Sequence, residues 1–439
     1  MNRFKFLFTI LLFSLQLNAQ SWETLPNAPV TSSRIDDVSF ISPQVGWIAE
    51  RGGSQQSGRV WRTTDGGDSW TMVFEPEGAC FRCIAFTDSL HGWVGLLGTE
   101  EFCFQTDTNV IYYTINGGGS WFPVTSLNGP KPRGLCGMQV VDDSVIVAVG
   151  RVRGPAFFMK STDRGMSWVS KDMNAYAYGL VDVHFFTPDS GIAVGLTDST
   201  NEVSSGIVLS TADGGETWDT SYVSSQLGEW CWKITFPTRL TGYVSLQRNS
   251  GSPVNVLKTT DGGASWTEEQ LSDIHYYVQG IGFIDETTGW VGGQNTNNSV
   301  HGTTDGGSTW NSAGFGRLVN RFQFLPNGEG YAVGQTVYKY TTVTSAEFPS
   351  NPESYVLQQN YPNPFNPSTV IEFDLPARAF VSLKIYDLLG QEVATLVEEE
   401  HDAGHRSVTF DASGIPAGVY FYALRVGGMT EVRKMVYLR

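Results

Sequence analysis

The chain is poor in charge and in cysteine. Charged residues fill 16% of its 439 positions, and 28 Lys and Arg face 44 Asp and Glu, a formal net charge of −16. That balance provides no global field to attract phosphate, so nucleic acid is not an expected partner, although a small local basic site is still allowed. The five cysteines (Cys80, Cys83, Cys103, Cys136 and Cys231) are an odd number in a chain too large to need covalent staples. Cys80, Cys83 and Cys103 lie close enough in sequence for one disulfide among them. There is a single C-x-x-C pair and the six His are scattered, so no metal site is expected. Beyond the N-terminus no apolar run reaches the length of a membrane span. The motifs of serine-hydrolase elbows, zinc proteases, Walker loops and dinucleotide folds are all missing, and no cofactor is implied.

What is present is aromatic and glycine-rich. Thirteen Trp, 49 Gly and 13% aromatic residues point to many short strands joined by tight turns, and they exclude a disordered chain. Residues 1–19 read as an export signal: Arg3 and Lys5, the apolar run Phe6–Leu15, then Leu17-Asn18-Ala19 before a cut. The mature chain then starts at Gln20 or Ser21.

One pattern recurs six times: TTDGGDSW at 63–70, TINGGGSW at 114–121, STDRGMSW at 161–168, STADGGETW at 210–218, TTDGGASW at 259–266 and TTDGGSTW at 303–310. The closing residues Trp70, Trp121, Trp168, Trp218, Trp266 and Trp310 are spaced by 51, 47, 50, 48 and 44 residues. A period of that size indicates a propeller or a solenoid-like array. Between the copies lies a second pattern, GWIA at 46–49, GWVG at 92–95, VAVG at 147–150, IAVG at 192–195, GYVS at 242–245, GWVG at 289–292 and YAVG at 331–334, which occurs seven times. With an alternating strand before it, one after it, and a fourth starting at the repeat Trp, each unit has the four strands of a propeller blade. The expected fold is all-β, a seven-bladed β-propeller over residues 20–340. The seventh unit lacks the Asp turn, while Ser21-Trp22-Glu23-Thr24 resembles the stretch after one. The N-terminal strand is therefore expected to close the ring as the outer strand of the last blade.

The Asp of each turn (Asp65, Asn116, Asp163, Asp213, Asp261, Asp305) is expected to accept local N–H groups, and the glycines to allow positive φ. Six equivalent carboxylates are scaffold rather than catalytic acids, and each run is too short to cage calcium. These turns resemble the Asp-box, or BNR repeat. The pairing of GW-V with TTDGG-SW is most similar to the photosystem II assembly factor (Ycf48-like) propellers. Sortilin-type propellers, sialidases and xyloglucanases share the turn more distantly. The resemblance covers about residues 21–340 and implies a role in assisting assembly of a protein complex.

Residues 341–354 form a polar linker, after which Trp and the Asp turns stop. Alternating runs at Thr369–Leu375, Ala379–Tyr386, Glu392–Val397, Arg406–Phe410, Val419–Val426 and Glu431–Tyr437 predict a small Ig-like β-sandwich over 355–439. Its stretches NYPNPFNPST (360–369), IYDLLGQEV (385–393), GVYFY (418–422) and RKMV (433–436) resemble the type A C-terminal sorting domain of type IX secretion. That resemblance implies the type IX machinery as a partner of 355–439. It also implies a secreted or outer-membrane-surface location in a Bacteroidetes-like Gram-negative bacterium.

Propeller sites lie where loops lead into the innermost strands. That places Arg34, Arg82, Arg133, Tyr178, Trp230, Trp232, Tyr276, Tyr277, Arg317 and Arg321 around one channel mouth. Guanidiniums fork onto carboxylate or phosphate, and aromatics stack on sugars or anchor peptides. The expected role is binding or scaffolding of an extracellular glycan or protein. The alternative is a glycoside hydrolase or sialidase-like enzyme using two of Asp36, Asp37, Asp182 and Glu229. In the bland reading, several Arg instead pair with Asp36, Asp37, Asp182 or Asp273, and the aromatics plug the channel.

Overall fold

The computed structural model describes residues 21–53, 56–98, 105–294, 299–341 and 356–438, without 376–377, 402–403 and 427–428. The expected export signal and all but the first residue of the expected linker lie outside the described residues. The chain divides into two compact units, up to Val343 and from Thr344.

The first unit is a seven-bladed propeller. Its inner strands are Ile35–Phe40, Phe81–Phe86, Gly137–Val140, Gly179–Phe185, Glu229–Thr235, Tyr277–Phe283 and Arg321–Phe324. Each inner strand contacts the next, and the seventh contacts the first. Every blade is an antiparallel meander of four strands, and blade 3 adds Leu127–Asn128 parallel to its outer strand. Ring closure is made by the N-terminal strand: Ser21–Thr24 pairs with Val337–Thr341, with Trp22 opposite Tyr340. Trp22 then stacks on Phe315, 4.9 Å between ring centroids, and meets Trp290 edge-on.

The repeated Gly has a packing role. In five blades the aromatic residue ending the inner strand pairs with the Gly opening the second strand, as in Phe40 with Gly46 and Phe185 with Gly191, and in blade 5 Phe236, next after the inner strand, lies against Gly242. A Cβ at these glycines would meet ring atoms at 2.3–2.5 Å. Blade 3 has neither partner and pairs Val140 with Ile146 instead.

The Asp turns are closed, self-satisfied units. Thr63 Oγ donates to Asp65 Oδ1 (2.8 Å) and accepts from Gly67 N–H (2.9 Å), while Ser69 N–H donates to Asp65 Oδ1 (2.9 Å). The same set recurs at Thr211/Asp213, Thr259/Asp261 and Thr303/Asp305. The hydroxyl two residues before the Asp belongs to the turn, a partner the sequence pattern contains but does not explain. Hydrogen bonds from Ser69, first its hydroxyl, hold the Asp65 carboxyl down at about 2. In the third copy Arg164 takes the first glycine's place and adopts φ 60°.

The second unit packs two sheets. One orders Val356–Leu357, Ser368–Leu375 and Gly404–Asp411; the other orders Glu392–His401, Ala379–Tyr386, Gly418–Val426 and Met429–Tyr437. Phe373, Leu383, Ile385, Tyr422 and Tyr437 fill the space between. Asn360, at the head of the NYPNPFNPST stretch, is buried. Its amide N–H donates to Tyr422 Oη (2.7 Å) and its Nδ2 to Thr369 Oγ1 (2.9 Å), fixing the first loop.

Candidate functional site

The channel is occupied by charge. Inner strands are bulged where polar residues sit: register shifts fall between Ile35 and Asp37, Phe81 and Cys83, Cys231 and Ile234, and Val278 and Ile281. A bulge leaves a residue out of the ladder and re-aims its side chain. The residues so released include Asp36, Arg82, Trp232, Lys233 and Gln279.

Two tiers result. In the first, Asp36 binds Arg34 Nε and Arg82 Nη1 (2.9 Å), Arg34 Nη1 donates to Gln279 Oε1, and Asn320 Nδ2 donates to the Asp36 carbonyl (2.7 Å). Burial pulls the Arg34 guanidinium down to about 9, against Asp36; burial opposes ionisation of Asp36, yet Arg34 and Arg82 hold it below the usual carboxylate range. In the second tier Arg321 spans the channel. Its Nε donates to Asp37 Oδ1 (2.7 Å), and its two terminal nitrogens grip Asp182 at 2.8 and 3.0 Å. Lys233, 1% exposed, stands 3.8 Å from Asp182, and burial lowers its ammonium to about 8. The carboxylates Asp36, Asp37 and Asp182 are thus engaged inside the channel, as the bland reading held. Asp273 instead accepts from Gln270 at 2.8 Å on the surface.

On the first tier opens a cavity of about 380 Å³. Of the residues expected at this mouth, Arg34, Arg82, Trp230, Trp232 and Tyr277 line it. Arg133 is exposed and lines a separate recess with Lys131 and Asp107, Arg317 is exposed beside Gln335, and Tyr178 packs on the apolar cluster of Leu97, Val152 and Trp230. Tyr276 is buried against His301. Arg321 lines the opposite, more open mouth with Asp37, His184 and Gln323.

Residues not anticipated complete the cavity: Arg51, Arg153 and the carboxamides Asn201, Gln247, Asn249, Gln279 and Gln294. Several follow or end second strands, which pair antiparallel with the inner ones: Glu50 opposite Ile35, Arg248 opposite Glu229, Gln294 opposite Tyr277. The end of one strand and the start of the other therefore share a rim. That inference was available from the meander itself. Arg82 lies over the Trp232 ring at 5.4 Å and Arg153 over Trp230 at 5.5 Å. Among the described residues no carboxylate lines the cavity.

Glu229 is buried elsewhere, 3.7 Å from Arg248; burial and then Glu268 raise its carboxyl to about 7. Cys80 is disulfide-bonded, whereas Cys83, Cys136 and Cys231 are buried thiols. Among the described residues no cluster of three metal-ligating side chains occurs, and no helix is long and apolar enough to cross a membrane.

Residues 359–437 match the family described as the secretion system C-terminal sorting domain. No curated protein sequence matches the chain. Among solved structures, YCF48 bound to D1 peptide shares 18% identity at TM-score 0.53, over 74% of this chain and 98% of that one. PorZ, an essential surface component of the type-IX secretion system of Porphyromonas gingivalis, shares 14% at TM-score 0.51, over 94% and 61%. The GH74 enzyme of Niastella koreensis shares 12% at TM-score 0.52, over 96% and 75%. At these identities the likeness is one of fold. The chain is a β-propeller carrying a C-terminal type IX sorting domain, and that domain supports export and a surface or secreted location.

Proposed function

We propose that this protein is an exported binding or scaffold propeller that holds an extracellular glycan or protein ligand in the channel-mouth cavity. Residues 355–439 would engage the type IX machinery, and residues 20–340 would carry the ligand at the surface of a Bacteroidetes-like cell or outside it. One observation carries the reading. Four guanidiniums (Arg34, Arg51, Arg82, Arg153) and the aromatics Trp230, Trp232 and Tyr277 line one cavity with no acidic residue among the described lining. Arginine and aromatic side chains dominate binding energy when desolvated at the centre of a site. Hydrolysis of a glycoside needs two placed carboxylates, and Asp36, Asp37 and Asp182 are committed to guanidinium partners while Glu229 lies outside the lining.

The test is binding of the mature chain to an array of polysaccharides and cell-surface proteins. Arg51→Ala/Arg153→Ala should abolish a hit that Arg133→Ala/Arg317→Ala retains. A hit indifferent to the first pair and lost in the second moves the site off this cavity.

A further inference from the structure

We propose that the seam between blades 2 and 3, on the face away from the cavity, is a second binding surface. Its partner is a protein segment of aliphatic or aromatic side chains flanked by Lys or Arg. The proposal adds to the binding role above and does not depend on the cavity.

The surface is built on the Asp turns. Each blade is an antiparallel meander, so the turn between its third and fourth strands falls at the end opposite the start of the inner strand, where Arg34 and Trp230 meet the cavity. On that far face Leu90 is 50% exposed, Ile115 52%, Phe122 45% and Met166 59%. One run of contacts joins them. Gly117 N–H donates to the Leu90 carbonyl (2.8 Å), which seats the second Asp turn, with Ile115, on the loop of Leu90. The third turn, with Met166, packs back on blade 2, where a Cβ at Gly165 would collide with the Trp93 indole. Trp93 pairs with Tyr113, and Tyr113 with Phe122, their rings 5.7 Å apart.

The other blades show what these positions need for folding. They hold Gln44, Thr64, Asp68 and Thr71 in blade 1, Asp189, Ala212, Glu216 and Asp219 in blade 4, and Thr287, Thr304, Ser308 and Asn311 in blade 6. Blade 5 has one exposed apolar side chain, Leu240, beside Thr260, Ala264 and Thr267. The turn is closed by its own hydroxyl, carboxylate and glycines, so it asks for no exposed apolar group. Single exposed apolar residues are ordinary; several gathered on one seam mark an interaction surface.

Side-chain type and charge define the partner. Three of the four residues are Leu, Ile and Met, which offer no flat face to a sugar ring, whereas Met and Phe are enriched in protein interfaces. The border is acidic. Asp88 opens the loop of Leu90, Asp142 and Asp143 lie in the loop whose Ser144 carbonyl accepts from Arg164 N–H (2.9 Å), and Asp163 belongs to the third turn. Arg164 and Arg62 oppose these four carboxylates, and His91 is held by Asp88. Two copies meeting through this surface would set like borders together, because an isologous contact opposes a patch to itself. An anionic lipid surface would be repelled for the same reason. Lys or Arg beside the partner's apolar residues complements the border.

A random dodecapeptide library displayed on phage would be selected on the mature chain. Counter-selection would use Leu90→Gln/Ile115→Thr/Phe122→Thr/Met166→Asp, which installs the residues of blade 1. Selected peptides should combine Leu, Ile, Phe or Met with Lys or Arg. By titration calorimetry they should bind the variant about 10-fold or more weakly, at a Tm within about 2 °C of the native value. Leu240→Thr should leave their affinity unchanged, and so should Arg51→Ala/Arg153→Ala, which separates this surface from the cavity. Acidic or wholly polar peptides, or none, overturn the proposal. So does binding to phosphatidylglycerol–phosphatidylcholine vesicles without peptide selection, which assigns the seam to a membrane. A dimer in sedimentation that the variant loses assigns it to a second copy. A fall in Tm well beyond 2 °C without selected peptides assigns it to a segment of the chain itself.

Discussion

Replacing Arg321 with Leu removes the bridge across the propeller channel. Three charge-assisted hydrogen bonds of 2.7–3.0 Å are lost, and two buried carboxylates, Asp37 and Asp182, lose their shared partner. Removing one side of a buried ion pair costs about 3–5 kcal/mol, because a desolvated charge is left behind. Lys233, at 3.8 Å from Asp182, compensates in part, which places the expected loss near the lower end, about 3 kcal/mol. For a unit of this size that is a fall in Tm of roughly 6 °C, read by tryptophan fluorescence. The loss should shrink on acidification. In the native protein burial opposes ionisation of Asp182, but Arg321 and Lys233 hold its pKa below the usual range. Its stabilisation is therefore present above the ordinary carboxylate pKa and lost as pH falls through the depressed folded value. Without Arg321, burial wins and Asp182 protonates more readily, so variant and native Tm should converge toward pH 4. The double variant Arg321→Leu/Asp182→Asn should recover part of the loss. A fall below about 2 °C, or a double variant no better than the single, would falsify the view that this bridge ties blades 1, 4 and 7 together.

Two further outcomes are expected. Gly191→Ala puts a Cβ within 2.3 Å of the Phe185 ring and should cost about 1–3 kcal/mol, but clearly less in a Phe185→Leu background; equal cost in both would show that the ring is not the obstacle. The Glu229 carboxyl, raised from the ordinary 4.5 to about 7 by burial and Glu268, should make stability decline as pH rises through that window, by about 3 kcal/mol, and stay level above it. Glu229→Gln should remove this slope and raise Tm at pH 8; an unchanged Tm–pH profile assigns the slope to other groups.

Part of the cavity's lining followed from the repeat. Arg34, Arg82, Trp230, Trp232 and Tyr277 were placed at one mouth by aligning inner strands, and all five line the cavity. Arg133 and Arg317 satisfied the same alignment but point to other surroundings, because residues before a strand sit in loops whose path the alignment does not describe. Arg51 and Arg153 escaped notice because they follow second strands; antiparallel register returns them to the rim.

The seven units, their four strands and the closure by Ser21–Thr24 were legible in the chain because each rests on local chemistry that repeats: a Gly that admits an aromatic ring, an Asp that collects neighbouring N–H groups, a missing turn at one end and a matching strand at the other. The channel was not legible. A regular strand alternates its faces, so Asp36 and Asp37 should point opposite ways; the bulge between Ile35 and Asp37 breaks that rule and sends Asp36 to Arg34 and Arg82 and Asp37 to Arg321. Bulges and cross-channel partners depend on residues up to 284 positions apart, and only the closed ring brings them within hydrogen-bond reach.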